Sequence, residues 1–214
     1  MRPGPVNGVG LIPLEIGGRR LKDQLVARLY MIRHGRPAAV WGGHDDDPGL
    51  DSAGLAQAEA AARALLALPE SVRPTRVASS PMKRCRETAA PSAAALGVEV
   101  EVVADIGEIP TPKALSAAER GPWLRGALQG LWPDVRGDLD YEVWRRRVHA
   151  AVAARPGYAV FSHFVAINAV VSLIEGEAAV TVFRPDHASI TILESDGANL
   201  ELVARGPEAA TGVL

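Results

Sequence analysis

Cysteine is nearly missing from this chain. Cys85 is the only one in 214 residues, so no disulfide can form within one chain and a cystine-held scaffold is excluded. Such a sequence suits a reducing compartment, and a cytoplasmic location is the expectation. An excess of charge is missing too. Twenty-three Lys and Arg face 25 Asp and Glu, a formal net charge of -2, so there is no bulk positive field for a nucleic-acid partner and none is expected. Long apolar runs are absent: nothing approaches the ~18 consecutive apolar residues that span a bilayer. The most apolar stretch, Phe164 to Ile174, is interrupted by Asn168 and Ser172, and no membrane partner is expected. Met1 to Arg20 lacks a basic segment leading into an apolar one, so it does not read as a secretory signal.

Several chemistries lack their signatures. There is no GxxxxGK, no GxSxG and no HExxH, which counts against ATPase, serine hydrolase and zinc protease readings. Cysteine phosphatases need an arginine six positions after the cysteine, and Pro91 stands there after Cys85. The Asp45-x-Asp47 pair continues into Gly49 and follows no clear strand, unlike the acidic motif of magnesium-dependent aspartyl phosphatases. What is present is a foldable chain. A 48% hydrophobic content with low net charge excludes disorder throughout. A chain of this length can bury roughly 70% of its unfolded surface around one core. The expected division is an N-terminal extension at 1–25, rich in Gly and Pro, one domain at 26–207 and a tail at 208–214.

Within that domain, strands and helices alternate. Val26 to His34, Thr75 to Ser79, Gly97 to Val103 and Gly157 to Ser162 read as short strands. Asp51 or Ser52 opens a helix to about Leu68, with Leu55, Ala58, Ala62, Leu65 and Leu66 on one face. Ser80-Pro81 reads as a second helix start, a hydroxyl cap followed by a residue that needs no amide partner. The stretch from Pro112 to Pro133 is helical in part. Asp138 or Asp140 opens a helix to about Ala154 with Tyr141, Trp144, Val148 and Val152 on one stripe, and most of Arg145 to Arg147 falls on its solvated side. Val165 to Ile174 is a further helix. Ala188 to Leu193 and Asn199 to Ala204 form a closing hairpin around Asp196-Gly197. The fold class is α/β, a three-layer α/β/α sandwich with a mostly parallel central sheet.

In such sheets, functional groups gather beyond the carboxyl ends of the strands. Three polar clusters sit there: Arg33-His34-Gly35, Ser79-Ser80 leading to Arg84, and Ser162-His163. Two guanidiniums can hold phosphate oxygens bidentately, a neutral imidazole is a competent nucleophile at phosphorus, and a second imidazole can donate to the transferring group. Neighbouring positive charge keeps an imidazole neutral. Gly35 and Pro37 supply the turn that lets Arg33 and His34 face one site despite strand alternation. The set reads as a phosphoryl site with no metal and no cofactor, taking a small-molecule phosphate ester. Oligomeric state is left open, with a homodimer as one outcome.

The same residues resemble the histidine phosphatase superfamily, also called phosphoglycerate-mutase-like. Arg33-His34-Gly35-Arg36-Pro37 is similar to its opening RHG motif, and Asp51 to Ala58 to its "LTxxGxxQA" helix start. Ser79 to Ala89 resembles its "SSPLxRAxxTA" segment, with Arg84 on the arginine position. Glu108 falls where the family carries its acid/base glutamate, and Ser162-His163 where it carries its second histidine. Ser189-Ile190-Thr191 looks like its late closing strand. The ordered set spans about residues 28 to 205. The resemblance implies that His34 attacks phosphorus and becomes phosphohistidine. It implies that Arg33, Arg84 and His163 hold the equatorial oxygens and that Glu108 protonates the leaving oxygen.

Four positions depart from the family pattern. Phe164 follows His163 in place of glycine and reshapes the phosphate pocket, which makes it a substrate-binding candidate with Arg33, Arg84 and His163. Arg36 and Pro37 replace the commoner Glu/Gln and Thr/Ser. Pro110-Thr111-Pro112 replaces a glycine-containing segment after Glu108, and Asn168 replaces an arginine. Elsewhere, His44 and Asp45 to Asp47 read as a solvated acidic turn, His149 as a helix-surface residue and His187 as a loop residue near the entrance. The four tryptophans, Trp41, Trp123, Trp132 and Trp144, read as core or lid packing. Phosphatase is the leading expectation. Phosphoglycerate mutase chemistry and a catalytically silent phosphate-binding module are its alternatives.

Overall fold

The computed structural model describes residues 26–39 and 47–210. The expected extension at 1–25, Trp41, His44, Asp45, Asp46 and the end of the tail lie outside the described residues. Six strands form one sheet: β1 (Ala27–Arg33), β2 (Arg76–Ser79), β3 (Val100–Val102), β4 (Tyr158–Ser162), β5 (Ile190–Ser195) and β6 (Leu200–Ala204). Their order is β3-β2-β4-β1-β5-β6. The first four in that order run parallel, and the β5–β6 hairpin closes the β1 edge antiparallel. The helices are α1 (Ser52–Leu66), α2 (Lys83–Leu96), α3 (Ala117–Gln129), α4 (Tyr141–Ala153) and α5 (Phe164–Glu175). This is the three-layer α/β arrangement, with a mixed sheet whose parallel part is the larger.

Both faces of the sheet are covered, which explains why its central strands are apolar runs rather than alternating ones. Side chains still alternate between two cores. Tyr30 and Ile32 of β1 join Ala61 and Leu65 of α1 and Ala89 and Ala93 of α2 on one face. Leu29 and Met31 join Val148 and Val152 of α4 and the apolar residues of α5 on the other. The α5 helix is buried from Phe164 to Ser172 on every side. Asn168 is therefore structural: its amide donates to the Phe164 carbonyl and its oxygen accepts from the Val182 and Phe183 amides.

Local features differ from expectation in three instructive ways. Leu55 is 52% exposed and leaves the apolar stripe to Gly54, Ala58, Ala61, Ala62 and Leu65. Helix α2 starts at Lys83, two residues beyond Pro81, because its cap comes from elsewhere: the Asp47 carboxylate accepts from the Lys83 amide at 2.8 Å. Arg145 is only 5% exposed, since Glu142, the Glu177 carbonyl and the Trp132 ring take its guanidinium. The other two arginines of that run are exposed.

The first turn of α1 presses on the loop that leaves β1. A Cβ built on Gly54 would lie 2.1 Å from the Arg36 carbonyl oxygen, and one on Gly35 would lie 2.6 Å from the Gly54 carbonyl oxygen. Backbone meets backbone here, so no side chain can move aside. Gly54→Ala is expected to cost about 2 kcal/mol or more by overpacking. Urea unfolding would show it as a lowered midpoint, and an unchanged midpoint would contradict the contact.

Candidate active site

The sheet brings the predicted clusters together by hydrogen bonds between strand ends. The His34 amide donates to the Ser162 carbonyl at 2.9 Å, and the Ser80 amide to the Phe161 carbonyl at 3.0 Å. Arg33, His34, Arg84 and His163 are all buried, at 4%, 5%, 3% and 0% exposure, which is unusual for charged and imidazole side chains without a shared purpose. Thr88 ties two of these elements together, donating to the Arg84 carbonyl and accepting from the Gly35 amide.

The protons in this cluster can be assigned from its partners. His34 Nδ1 lies 2.8 Å from the Gly35 carbonyl, an acceptor only, so Nδ1 carries the hydrogen and Nε2 keeps a lone pair. Burial first, then the charges of Arg84 and Arg33, hold His34 well below the ordinary imidazole pKa, while the Gly35 bond opposes them. His34 is thus a neutral imidazole with its basic nitrogen available. His163 is the opposite tautomer. Its Nδ1 accepts from Arg84 Nη2 at 3.2 Å, because a guanidinium only donates, and its Nε2–H donates to Ser80 Oγ at 2.8 Å. Burial, Arg84, His34 and Arg33 hold it well below the usual range too. In this state the His163 proton serves Ser80, and donation to an anion through Nδ1 requires a further proton. The two rings sit edge to face, 5.3 Å between centroids.

Glu108 joins the cluster from the loop after β3. Its side chain is 13% exposed and Oε2 lies 3.6 Å from His163 Nδ1. Burial raises its pKa, and Arg84, the Ile109 amide and Arg33 pull against that rise. Arg33 is held by the Pro185 carbonyl at 2.9 Å, and its guanidinium lies 5.4 Å from the Phe164 ring centroid. Burial lowers its pKa to about 10, so it stays charged at neutral pH. Phe164 is 5% exposed, and its ring forms a platform for Arg33.

Sequence reasoning left unread the contacts of four neighbours of this cluster, although it set Ser80 at a strand end of the site and His187 near the entrance. Asp47 is no solvated turn residue: besides capping α2 it sits 3.8 Å from Arg84 Nη1. Ser80 is read from its motif as a helix cap, yet its hydroxyl accepts from His163. Cys85 Sγ packs 3.3 Å from His163 Nε2 and 3.4 Å from the Ser162 carbonyl, and burial raises its thiol pKa, so it is an inert neutral thiol. His187 lies 5.8 Å from His34 between ring centroids. Only the "SSP" and "RCRET" spacing hinted at the middle two. His149 is half-buried on α4, where burial and then the charge of Arg145 lower its pKa. A cleft of about 410 Å³ between Trp132 and Glu142 holds none of the candidate site residues. Among the described residues, no group of three or more His, Cys, Asp or Glu side chains is placed to hold a metal ion, and no helix is long and apolar enough to cross a membrane.

The sequence matches the family described as histidine phosphatase superfamily (branch 1) over residues 29–206. No curated protein gave a significant match. Among solved structures, mycobacterial glucosyl-3-phosphoglycerate phosphatase is similar with a TM-score of 0.65 and 21% identity, over 86% of this chain and 100% of that one. Phosphoserine phosphatase of Entamoeba histolytica, in complex with 3-phosphoglyceric acid, is similar with a TM-score of 0.65 and 17% identity, over 85% of this chain and 97% of that one. At these identities the likeness to the two structures is one of fold.

Proposed function

This chain belongs to the histidine phosphatase superfamily, and on that premise we propose that it hydrolyses a small-molecule phosphate monoester through a phosphohistidine on His34, without a metal. One observation carries the reading: His34 is neutral, donates its only hydrogen to Gly35, and presents Nε2 in a buried cluster with two guanidiniums. The neighbours in fold, named for glucosyl-3-phosphoglycerate and phosphoserine, fit a small ester as substrate.

In the first step His34 Nε2 forms a bond to phosphorus as the bond to the ester oxygen breaks. Glu108, whose pKa burial raises, acts as the acid and gives its proton to the departing alkoxide. Arg33 and Arg84 neutralise the charge spread over the equatorial oxygens, which is the principal source of acceleration in phosphoryl transfer. His163 adds to them once a bound dianion draws a proton from solvent onto Nδ1, to be released again when phosphate leaves. In the second step Glu108, now a carboxylate, takes a proton from water as the water oxygen attacks phosphorus. Inorganic phosphate leaves, and His34 and Glu108 return to their starting states.

The test is turnover of para-nitrophenyl phosphate with EDTA present, combined with rapid acid-free quenching and intact-mass measurement. The expected results are turnover that survives chelation and a phosphoryl adduct on His34. Chelation that abolishes turnover, or an adduct elsewhere, would overturn the mechanism. A protein that binds phosphate and turns over no ester would be the silent module.

A further inference from the structure

The turn ahead of β5 is fastened to the strand that carries His34. The Ala188 amide donates to the carbonyls of Arg33 at 3.0 Å and His34 at 3.4 Å, the Arg33 amide donates to Ser189, and Arg33 Nη1 donates to Pro185. Ala188 has φ +56°, and among the described residues no other non-glycine has positive φ. A side chain is disfavoured in the left-handed region, so the turn holds a conformation its own sequence resists. The result is that the His187 ring is set beside His34, 5.8 Å away and tilted by 54°.

His187 differs from the two other imidazoles of the cluster in having nothing to bond. Both nitrogens of His163 have partners, and so does Nδ1 of His34. The closest polar contact of the His187 ring is Asp186 Oδ1, 3.9 Å from Nδ1 and too far for a hydrogen bond. Neither ring nitrogen has a hydrogen-bond partner among the described residues. With 23% of its side chain exposed, the ring is partly open to solvent. Burial, followed by the charge of Arg33, lowers its pKa to about 4, against the pull of Asp186. At neutral pH it is therefore a neutral ring with one donor and one acceptor, next to a carboxylate that is 48% exposed.

We propose that His187 contacts the leaving group and that, with Asp186, it selects phosphate esters of hydroxyl-bearing alcohols over esters that carry a carboxylate. The proposal rests on His34 being the phosphoryl acceptor, since the ring beside it then borders the space that a bound ester fills. A hydroxyl satisfies a neutral imidazole as donor or acceptor and can also donate to Asp186. A carboxylate finds one donor there and is repelled by Asp186, because of the two nearby cations Arg33 is taken up by the phosphate and Arg36 by Asp51.

The test compares glycerol 3-phosphate, 3-phosphoglycerate and phenyl phosphate as substrates of the whole protein. Wild type is expected to show a kcat/KM for glycerol 3-phosphate at least about tenfold above that for 3-phosphoglycerate. His187→Ala should lower kcat/KM for glycerol 3-phosphate about tenfold more than for phenyl phosphate, mainly through KM, with part of the loss recovered in His187→Asn. Asp186→Asn, which keeps the acceptor for the His187 amide, should raise kcat/KM for 3-phosphoglycerate. Equal losses on all three substrates would mean a merely structural ring and would overturn the proposal, as would no loss on any. Calorimetric binding of glycerol 3-phosphate against 3-phosphoglycerate makes the same comparison without turnover. If binding is selective and His187-dependent while no ester is hydrolysed, the phosphatase reading fails and the ligand preference stands. If neither protein distinguishes the two ligands, the preference fails.

Discussion

His34→Ala is expected to reduce turnover of para-nitrophenyl phosphate by about 10⁴-fold or more, the scale on which loss of a covalent nucleophile is felt. The side chain is buried but makes one hydrogen bond, to its neighbour's carbonyl, so circular dichroism should show the variant folded. In wild type the low-pH limb of kcat/KM should report His34. Burial and two arginines depress its pKa, so the nucleophilic form persists below the usual imidazole midpoint and that limb is displaced to the acid side. Activity within tenfold of wild type in His34→Ala would remove the nucleophile from the mechanism altogether.

Glu108→Gln should cost about 10²- to 10³-fold on an alkyl phosphate and far less on para-nitrophenyl phosphate, whose leaving group departs without a proton. The difference between those two substrates is the informative quantity, because a structural role for Glu108 would depress both alike. The pH dependence has a definite sign. Burial raises the Glu108 pKa above the ordinary carboxylate value, so the acid is fully present below that value and is lost as pH rises through the raised one. Wild type should therefore decline on the alkaline side with alkyl substrates, and the glutamine variant should lack that limb. A glutamine variant that keeps wild-type rates on alkyl phosphates would remove Glu108 from proton transfer.

The sheet and its polar ends were legible in the sequence because local pattern encodes them. Apolar runs of strand length, each ending in a polar pair, place Arg33-His34, Ser79-Ser80 and Ser162-His163 at one edge regardless of how the helices pack. What was not legible is whatever depends on a partner far along the chain. Ser80-Pro81 has every mark of a helix start, yet α2 waits for Lys83 because Asp47 supplies the cap across 36 positions. Arg145 looks like surface beside two other arginines until Glu177 and Trp132 are brought to it. His187 lies some 150 residues from His34 and belongs to no pattern. Its place follows from hydrogen bonds between a turn and the end of β1, which one-dimensional periodicity does not contain.

The position of β1 has a consequence for how the molecule comes into being. Its neighbours are β4 and β5, with Ile32 opposite Phe161 on one side and Ile190 on the other. A nascent chain that has just released β1 from the ribosome offers this apolar strand nothing to pair with. At ~5–20 residues per second, the 162 positions from Arg33 to Ser195 take roughly ten to thirty seconds to emerge. One edge of Leu29 to Ile32 stays bare until β4 emerges and the other until β5 does, open meanwhile to chaperones or to other chains. Nor can a chain that has not yet reached residue 189 have the proposed activity, because it lacks the turn that fastens Arg33 and positions His187.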